Sequence, residues 1–519
     1  MPDERAPEGP VAASAMSGSV ILRKAGARAR GGKGKKGAKK SGRRGISPRL
    51  LAIRIYLDWS SAPAGRRRAI EEMAALAIQD GGPGLKSRDA ALVRQIVLGV
   101  VRWQRLLEWH LRKYAKRFGR LCPEVRAILL TGAYQIIFLS RIPFFAAVDE
   151  SVKAASALGC KWARGLINAV LRKVAAGKRV VPDSPGFFLK RCGQENFSTC
   201  LARFSSHPSW MVRRWIGKWG REQASAICYE NNLQAPTTLR VNILKTDVEG
   251  ALEVLRGASI QVERAGISPQ GLILQGFRGR PSEIPGFSRG WFTVQDEAAQ
   301  LVSLLLAPEP GMEVLDLCAG LGGKSTHIAE LMGDEGRVHA YDPARARLEL
   351  LRDNCSRLGI RSVCPIDREA GLEELLRRGG LDRVLVDAPC SGLGVIRRHP
   401  DIKWNRTSED IEALSEKQFE ICLKALRGLG PGGRMVYAVC TLEEEETKGV
   451  VSRLLRAEPG LRLVPAGQAL AEAIGAMGGA GHLPENLPEN LVDEMGCLRI
   501  LPGSGNMDGF FAALFEKPE

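Results

Sequence analysis

Apolar residues recur at helical spacing through the first third of the chain. Leu92, Ile96, Val97 and Val100 fall on one face of a 3.6-residue period, as do Val125, Ile128, Leu129, Ala133 and Ile136. Pro123 stands where a first-turn proline belongs, just ahead of the second run. Asp149 and Glu150 are expected to open a further helix, and Gly165 to Lys173 to close the bundle. Residues 46–180 therefore read as a separate all-α domain whose aromatic residues form core. From 181 to 292 the pattern mixes: His207-Pro208-Ser209-Trp210 predicts a helix start, Thr238–Val241 and Gly271–Leu274 predict short strands, and Gly286 and Gly290 flank a turn. This is a small α/β connecting module. From 293 to 519 strands predicted at Val314–Leu317, Val338–Tyr341, Val363–Ile366, Val384–Val386, Met435–Val439 and Phe510–Phe515 alternate with helix-length segments such as Ala344–Leu358 and Ser408–Leu429. Such alternation predicts an α/β domain with a mostly parallel sheet covered by helices on both faces.

Charge adds a partner to this picture. The 519 residues carry a net charge of +18, which points to a polyanion. Between Ile21 and Gly45 lie eleven Lys or Arg and no acid, interleaved with Gly, Ala and Ser. Such a segment cannot bury enough apolar surface to offset its ordering entropy. Residues 1–45 are expected to be a disordered basic tail, either a non-specific RNA arm or a solubilising one. The longest apolar stretch, Ala127 to Leu139, contains Thr131 and Gln135 and falls short of the roughly 20 residues a membrane span needs. Asp3, Glu4 and Glu8 stand where a signal peptide would be basic and then apolar. The twelve cysteines include no Cys-x-x-Cys and no histidine at metal-site spacing, so no metal is expected. Reduced thiols in a cytoplasm are expected, with Cys122, Cys160 and Cys228 as small buried apolar groups.

Candidate chemistry gathers at the ends of the predicted strands, where parallel sheets bind ligands. The first strand runs into Cys318-Ala319-Gly320-Leu321-Gly322-Gly323-Lys324, whose glycines allow close backbone approach to a nucleotide-like cofactor. Asp316 ends that strand. Asp342 ends the second, about 20 residues on, where an acid can accept from ribose hydroxyls. A nicotinamide enzyme would share these features, but the turn departs from Gly-x-Gly-x-x-Gly. Asp367 ends the third strand and is a candidate for an adenine amino group or a helix cap. Two cysteines end later strands: Cys390 in Asp387-Ala388-Pro389-Cys390, and Cys440 in Tyr437-Ala438-Val439-Cys440-Thr441. A thiol adds to an electron-poor pyrimidine, so the pair with a cofactor turn suggests a methyl donor and a base activated by covalent attack. Arg397-Arg398-His399, close behind Cys390, is expected to contact phosphate.

Val314 to Lys324, Asp387 to Trp404 and the terminal Asp508-Gly509-Phe510-Phe511 resemble the RsmB-type bacterial RNA cytosine-5 methyltransferases, a branch of the Nop2/Sun family. The resemblance extends through Gly290 to Asp296 and into the helical block, where Gly132 to Gln135 and Asn168 to Arg172 are similar to the family's NusB-like RNA-binding domain. It implies a NusB-like all-α bundle, a small α/β module and a Rossmann-like methyltransferase domain, with S-adenosylmethionine as methyl donor and a cytosine of small-subunit (16S) ribosomal RNA as acceptor. By position it places Cys318–Lys324 along the cofactor, Asp342 at its ribose, Asp367 at its adenine and Asp387 between cofactor and base. The family's nucleophile falls on Cys440 and its helper cysteine on Cys390. Leu321 and Val439 depart from the family's usual Pro and Thr.

The chemistry follows from ring electronics. Cytosine carbon 5 is a poor nucleophile until a thiolate adds at carbon 6, helped by a proton or hydrogen bond at nitrogen 3. Asp387, if buried and protonated, is the candidate for that contact. A monomer is expected. The alternatives are the same chemistry on transfer RNA, or a non-catalytic ribosomal RNA assembly factor on a methyltransferase shell.

Overall fold

A computed structural model describes residues 46–519 except 64, 66, 81–84, 194–195, 278 and 478–490. The basic tail expected over 1–45 lies outside the described residues. The described residues open with six α-helices: α1 (Pro48–Ser61), α2 (Ile70–Asp80), α3 (Ser87–Arg112), α4 (Pro123–Phe138), α5 (Phe144–Ala157) and α6 (Arg164–Ala176). Pro123 is the first residue of α4, and burial runs around that helix from Val125 to Ile137. It is the central rod on which α1, α3, α5 and α6 pack. Asp149 and Glu150 lie inside α5 rather than at its start, because Pro143 already ends the preceding turn and caps the helix. Not all bundle aromatics are core, either: Phe144, Phe145 and Trp162 are exposed.

Three helices follow, α7 (Pro185–Arg191), α8 (Phe197–Phe204) and α9 (Ser209–Glu230). A disulfide joins Cys192 to Cys200 across the α7–α8 connection. This corrects the expectation of reduced thiols throughout, since a long chain's freedom from needing disulfides says nothing about two cysteines that a tight helical corner brings together. Cys122 and Cys160 also meet, with their Sγ atoms 4.0 Å apart and Glu124 beside them, a grouping invisible at a spacing of 38 residues.

Next comes an antiparallel sheet of β1 (Thr237–Val241), β2 (Val262–Arg264), β3 (Gly271–Leu274) and β4 (Phe292–Val294), ordered β2-β3-β1-β4, with α10 (Val248–Gly257) against it. From β1, Arg240 reaches into the following domain. Fully buried, it pairs with the equally buried Glu330 at 2.8 Å and donates to the Gly323 carbonyl at 2.7 Å.

The remainder alternates as predicted: α11 (Glu297–Leu306), β5 (Glu313–Asp316), α12 (Gly323–Leu331), β6 (Arg337–Tyr341), α13 (Arg345–Leu358), β7 (Val363–Ile366), α14 (Glu369–Arg378), β8 (Leu381–Asp387), α15 (Ile402–Asn405), α16 (Ser408–Leu426), β9 (Leu429–Val439), α17 (Lys448–Ala457), β10 (Arg462–Val464), α18 (Ala466–Ala476), β11 (Leu498–Ile500) and β12 (Phe510–Glu516). The sheet order is β10-β12-β9-β8-β5-β6-β7, with β11 on β12. Strands β5 to β9 are mutually parallel, and β12 returns antiparallel on β9. Alternation decides which helices cover which face. Leu385, Val436 and Ala438 pack under α11, α13 and α18, whereas Val384, Val386, Met435, Tyr437 and Val439 pack under α14, α16 and α17.

Candidate active site

Strand order reverses at β5. The chain adds β6 and β7 on one side, then crosses to place β8 and β9 on the other. The carboxyl ends of β5 and β8 thus flank the topological switch point, where doubly wound sheets bind ligands. After β5 the chain turns through Cys318 to Gly322 into α12. Gly320 and Gly322 both adopt left-handed backbone angles (φ +55 and +81). A Cβ on Gly322 would strike Leu351 at 2.7 Å, whereas one on Gly320 would meet nothing. Glycine is needed at 322 for packing as well as conformation, and at 320 its backbone borders open space. The Gly322 N–H closes the turn on the Ala319 carbonyl at 2.9 Å. Leu321 is exposed, its carbonyl taken by Asn354, so the turn forms without the usual Pro.

Asp342 ties this turn to β6. Its buried carboxylate accepts from Gly320 N–H (3.1 Å), Ala344 N–H (2.8 Å) and, weakly, Arg347. Asp367 lies at the end of β7, exposed and gripped by Arg352 at 2.6 and 2.7 Å. Asp316 is buried under the turn and accepts from Ser325 Oγ at 2.7 Å; burial, with the Asp387 charge nearby, pushes its pKa up to about 6. Cys318 sits above these acids, and burial together with the charges of Asp316, Asp387 and Asp342 raises its thiol. It is held as a neutral thiol.

Asp387 departs from expectation. Its side chain is one-third exposed and bonded to Lys324 Nζ at 2.6 Å. The expectation of a buried carboxyl fails because the lysine of the glycine turn reaches across from β5 to β8 and meets it at the sheet's open end. Burial works against the Lys324 ammonium, but the Asp387 charge and hydrogen bond, with Asp316, outweigh it and raise its pKa.

Strands β8 and β9 are neighbours, with Asp387 opposite Ala438. Cys390 follows β8 through Ala388 and Pro389, Cys440 follows β9 directly, and their Sγ atoms are 3.3 Å apart. The hydrogen bond to Cys440, then burial, then the charges of Glu446 and Asp387 hold the Cys390 thiol well above its ordinary pKa. Below the pair lies a network that sequence reasoning missed. Glu446 is buried and accepts from Ser391 N–H at 2.7 Å and Gln418 Nε2 at 2.9 Å, and also from Ser391 Oγ. Ser391 Oγ also meets Thr441 Oγ1 at 2.8 Å. The residues after both cysteines are thereby fastened together. The acidic run Glu443–Glu446, three residues past Cys440, was the available signal.

The arginines behind Cys390 do not await phosphate. Arg397 is buried against Asp508, and Arg398 pairs with Asp508 and, at 2.7 Å, with Asp296. They brace the β12 approach instead, and of the three only His399 is exposed. The same loop docks on the bundle: the fully buried Lys403 donates to the Arg102 carbonyl and Asn232 Oδ1, both at 2.9 Å, and Trp404 Nε1 to the Val101 carbonyl.

The open turn at Gly320, the anchored acid at Asp342 and the Lys324–Asp387 pair form one donor-and-acceptor wall that suits a charged nucleoside. Sheet order and wall together mark a nucleoside-type cofactor site at the switch point of a doubly wound sheet. Residues 303–516 match the 16S rRNA methyltransferase RsmB/F family, residues 46–176 the NusB family, and residues 207–279 the RsmF/B-like ferredoxin-like domain. A Synechocystis protein named probable ribosomal RNA small subunit methyltransferase B is 33% identical across 91% of this chain and 100% of its own length. A Pseudomonas syringae protein named ribosomal RNA small subunit methyltransferase B is 37% identical across 83% of this chain and 90% of its own. A crystal structure titled PH0851 covers 91% of the chain and 99% of its own at TM-score 0.68 and 24% identity, a likeness of fold. A methyltransferase homologue from Pyrococcus horikoshii covers 62% of the chain and 98% of its own at TM-score 0.51 and 27% identity. The chain belongs to the RsmB-type ribosomal RNA methyltransferase family. Among the described residues no helix is long and apolar enough to cross a membrane.

Proposed function

We propose that this protein methylates carbon 5 of a cytosine in 16S ribosomal RNA through a covalent cysteine–cytosine intermediate, acting as a cytoplasmic monomer. The observation that supports this best is the contact of the two thiols at 3.3 Å, with Cys390 held protonated beside Cys440. S-adenosylmethionine supplies an electrophilic methyl group. The turn Cys318–Lys324 and Asp342 hold it, with Asp367 near its adenine once Arg352 yields. Cys440 adds as thiolate, the nucleophilic form of a cysteine, to carbon 6. The negative charge this pushes into the ring is met at nitrogen 3 by the proton shared between Lys324 and Asp387. Carbon 5 then takes the methyl group, its proton leaves to a base, and the electron pair of that C–H bond expels Cys440. Cys390, a neutral thiol at that sulfur, protonates the departing thiolate.

The basic 1–45 tail, the bundle over 46–180 and the module over 181–292 then serve to hold RNA against the catalytic residues 293–519. Purified protein, methyl-labelled S-adenosylmethionine and transcribed small-subunit ribosomal RNA test the proposal. Label at carbon 5 of one cytosine, located by bisulfite sequencing and lost in Cys440→Ala, is expected. Label found only in transfer RNA, or in neither RNA, would overturn it.

A further inference from the structure

One cleft lies outside the catalytic cleft and has no role in the chemistry above. It encloses about 440 Å³ between α3 and the segment around Gly279 to Glu283, and Gln234 closes its end. Four arginines line it: Arg88, Arg94, Arg102 and Arg280. Three of them share one stripe of α3, since positions 88, 91, 94, 98 and 102 recur at three- and four-residue steps. Arg88 and Arg102 stand about 21 Å apart along the helix axis. One acid, Glu283, lines the cleft, and its carboxylate faces the backbone N–H of Arg280 at 3.3 Å.

The arginines are also underused. Among the described residues, Arg88 and Arg94 form no ion pair or hydrogen bond, and the Nε atoms of Arg94 and Arg102 are buried without an acceptor. Buried donors without acceptors are costly and rare, and guanidinium forks match phosphate oxygens. The cleft is joined to the catalytic loop: Arg102 donates to the Arg397 carbonyl at 2.6 Å, on the loop that leaves Cys390.

We infer that this cleft is a phosphodiester-binding track for the RNA strand flanking the target base, with the α3 arginines as the groups that grip it. The inference rests on the RNA reading above and adds a site to it. Arg102 also supports the catalytic loop, so the test uses the exposed pair, Arg88→Gln with Arg280→Gln, and then adds Arg94→Gln. Binding of full-length protein to transcribed small-subunit RNA is measured against salt, with methyl transfer at saturating RNA and S-adenosylhomocysteine affinity alongside. Removing one arginine–phosphate pair lowers the log–log salt slope by about 0.7–0.9, so the exposed pair is expected to lower it by about 1.5 and the triple variant by about 2–2.5. The methyl-transfer rate at saturation and cofactor-product affinity stay at the parent's values. Parental affinity and slope in the variants, from a parent that does methylate the RNA, overturns the track alone; a parent that neither binds nor methylates that RNA overturns the function beneath it. Stoichiometric binding of adenosine monophosphate, abolished in the variants while the RNA slope holds, would mark a free-nucleotide site and overturn the inference as well.

Discussion

Replacing Asp342 separates two roles that one carboxylate combines. The side chain is 5% exposed and accepts from the Gly320 and Ala344 N–H groups at 3.1 and 2.8 Å. Ala344 is exposed, so water replaces the acceptor there at little cost. Gly320 is only half exposed and belongs to the glycine turn; leaving its N–H unpaired costs about 1–2 kcal/mol. If the carboxylate also receives a ribose hydroxyl, that charge-assisted bond is worth about 1.5–3 kcal/mol, roughly ten- to 150-fold in affinity. Asp342→Ala should therefore lose both amounts. Asp342→Asn keeps one acceptor oxygen for Gly320 and should keep most of the stability, while still losing much of the affinity. Chemical denaturation and calorimetry with S-adenosylhomocysteine measure the two effects separately. An affinity within twofold of the parent's in both variants would remove Asp342 from the cofactor site and leave it a turn anchor.

The same physical reasoning reaches two neighbours. Asp316 has a pKa raised to about 6, so the folded state binds its proton more tightly than the unfolded chain, and its contribution to stability falls as pH rises from about 4 to 6 and is flat above. Asp316→Asn removes that slope, so denaturation at pH 4 to 7 should show its stability relative to the parent rising by about 2–3 kcal/mol; a pH-independent difference would refute the assignment. Arg240→Met should cost about 3–5 kcal/mol in denaturation, because the buried Glu330 loses its partner, with a smaller deficit at acidic pH once Glu330 takes a proton. A loss under 1 kcal/mol, roughly, at neutral pH would show that water reaches the pair.

Much of this was legible because the catalytic domain is regular. The apolar runs of β5, β6, β7 and β8 are short, uniform and separated by full helices, and parallel strands buried on both faces read that way. The register that sets Cys390 beside Cys440 was foreshadowed by two cysteines at strand ends. What stayed hidden depends on partners remote in the chain. Three-residue strands such as β2, β4, β10 and β11 have no period of their own and exist only by pairing. The first residues of β9, Leu429-Gly430-Pro431-Gly432-Gly433, fall outside the predicted strand Met435–Val439, with Leu429 expected in the preceding helix, yet Leu429 pairs with Leu381 beside a register shift. Arg397 and Arg398 looked like a phosphate-facing run because Asp296 and Asp508 lie more than 100 residues away on either side. Asp387 was expected to be buried because nothing local announced that Lys324 would reach it. The exposure of Phe144, Phe145 and Trp162 was equally unreadable, since helical spacing says which residues share a face and not whether anything covers that face.

The division of labour between the two thiols is the centre of the account, and one denaturing gel tests it. On the proposed mechanism, Cys390→Ala leaves Cys440 free to attack but removes the protonated thiol 3.3 Å away that would assist release. Incubated with labelled small-subunit RNA and S-adenosylmethionine, Cys390→Ala should accumulate a protein–RNA adduct that survives electrophoresis, and Cys440→Ala and the double variant should show none. An adduct in the Cys440→Ala lane with none in the Cys390→Ala lane would contradict the account and make Cys390 the nucleophile.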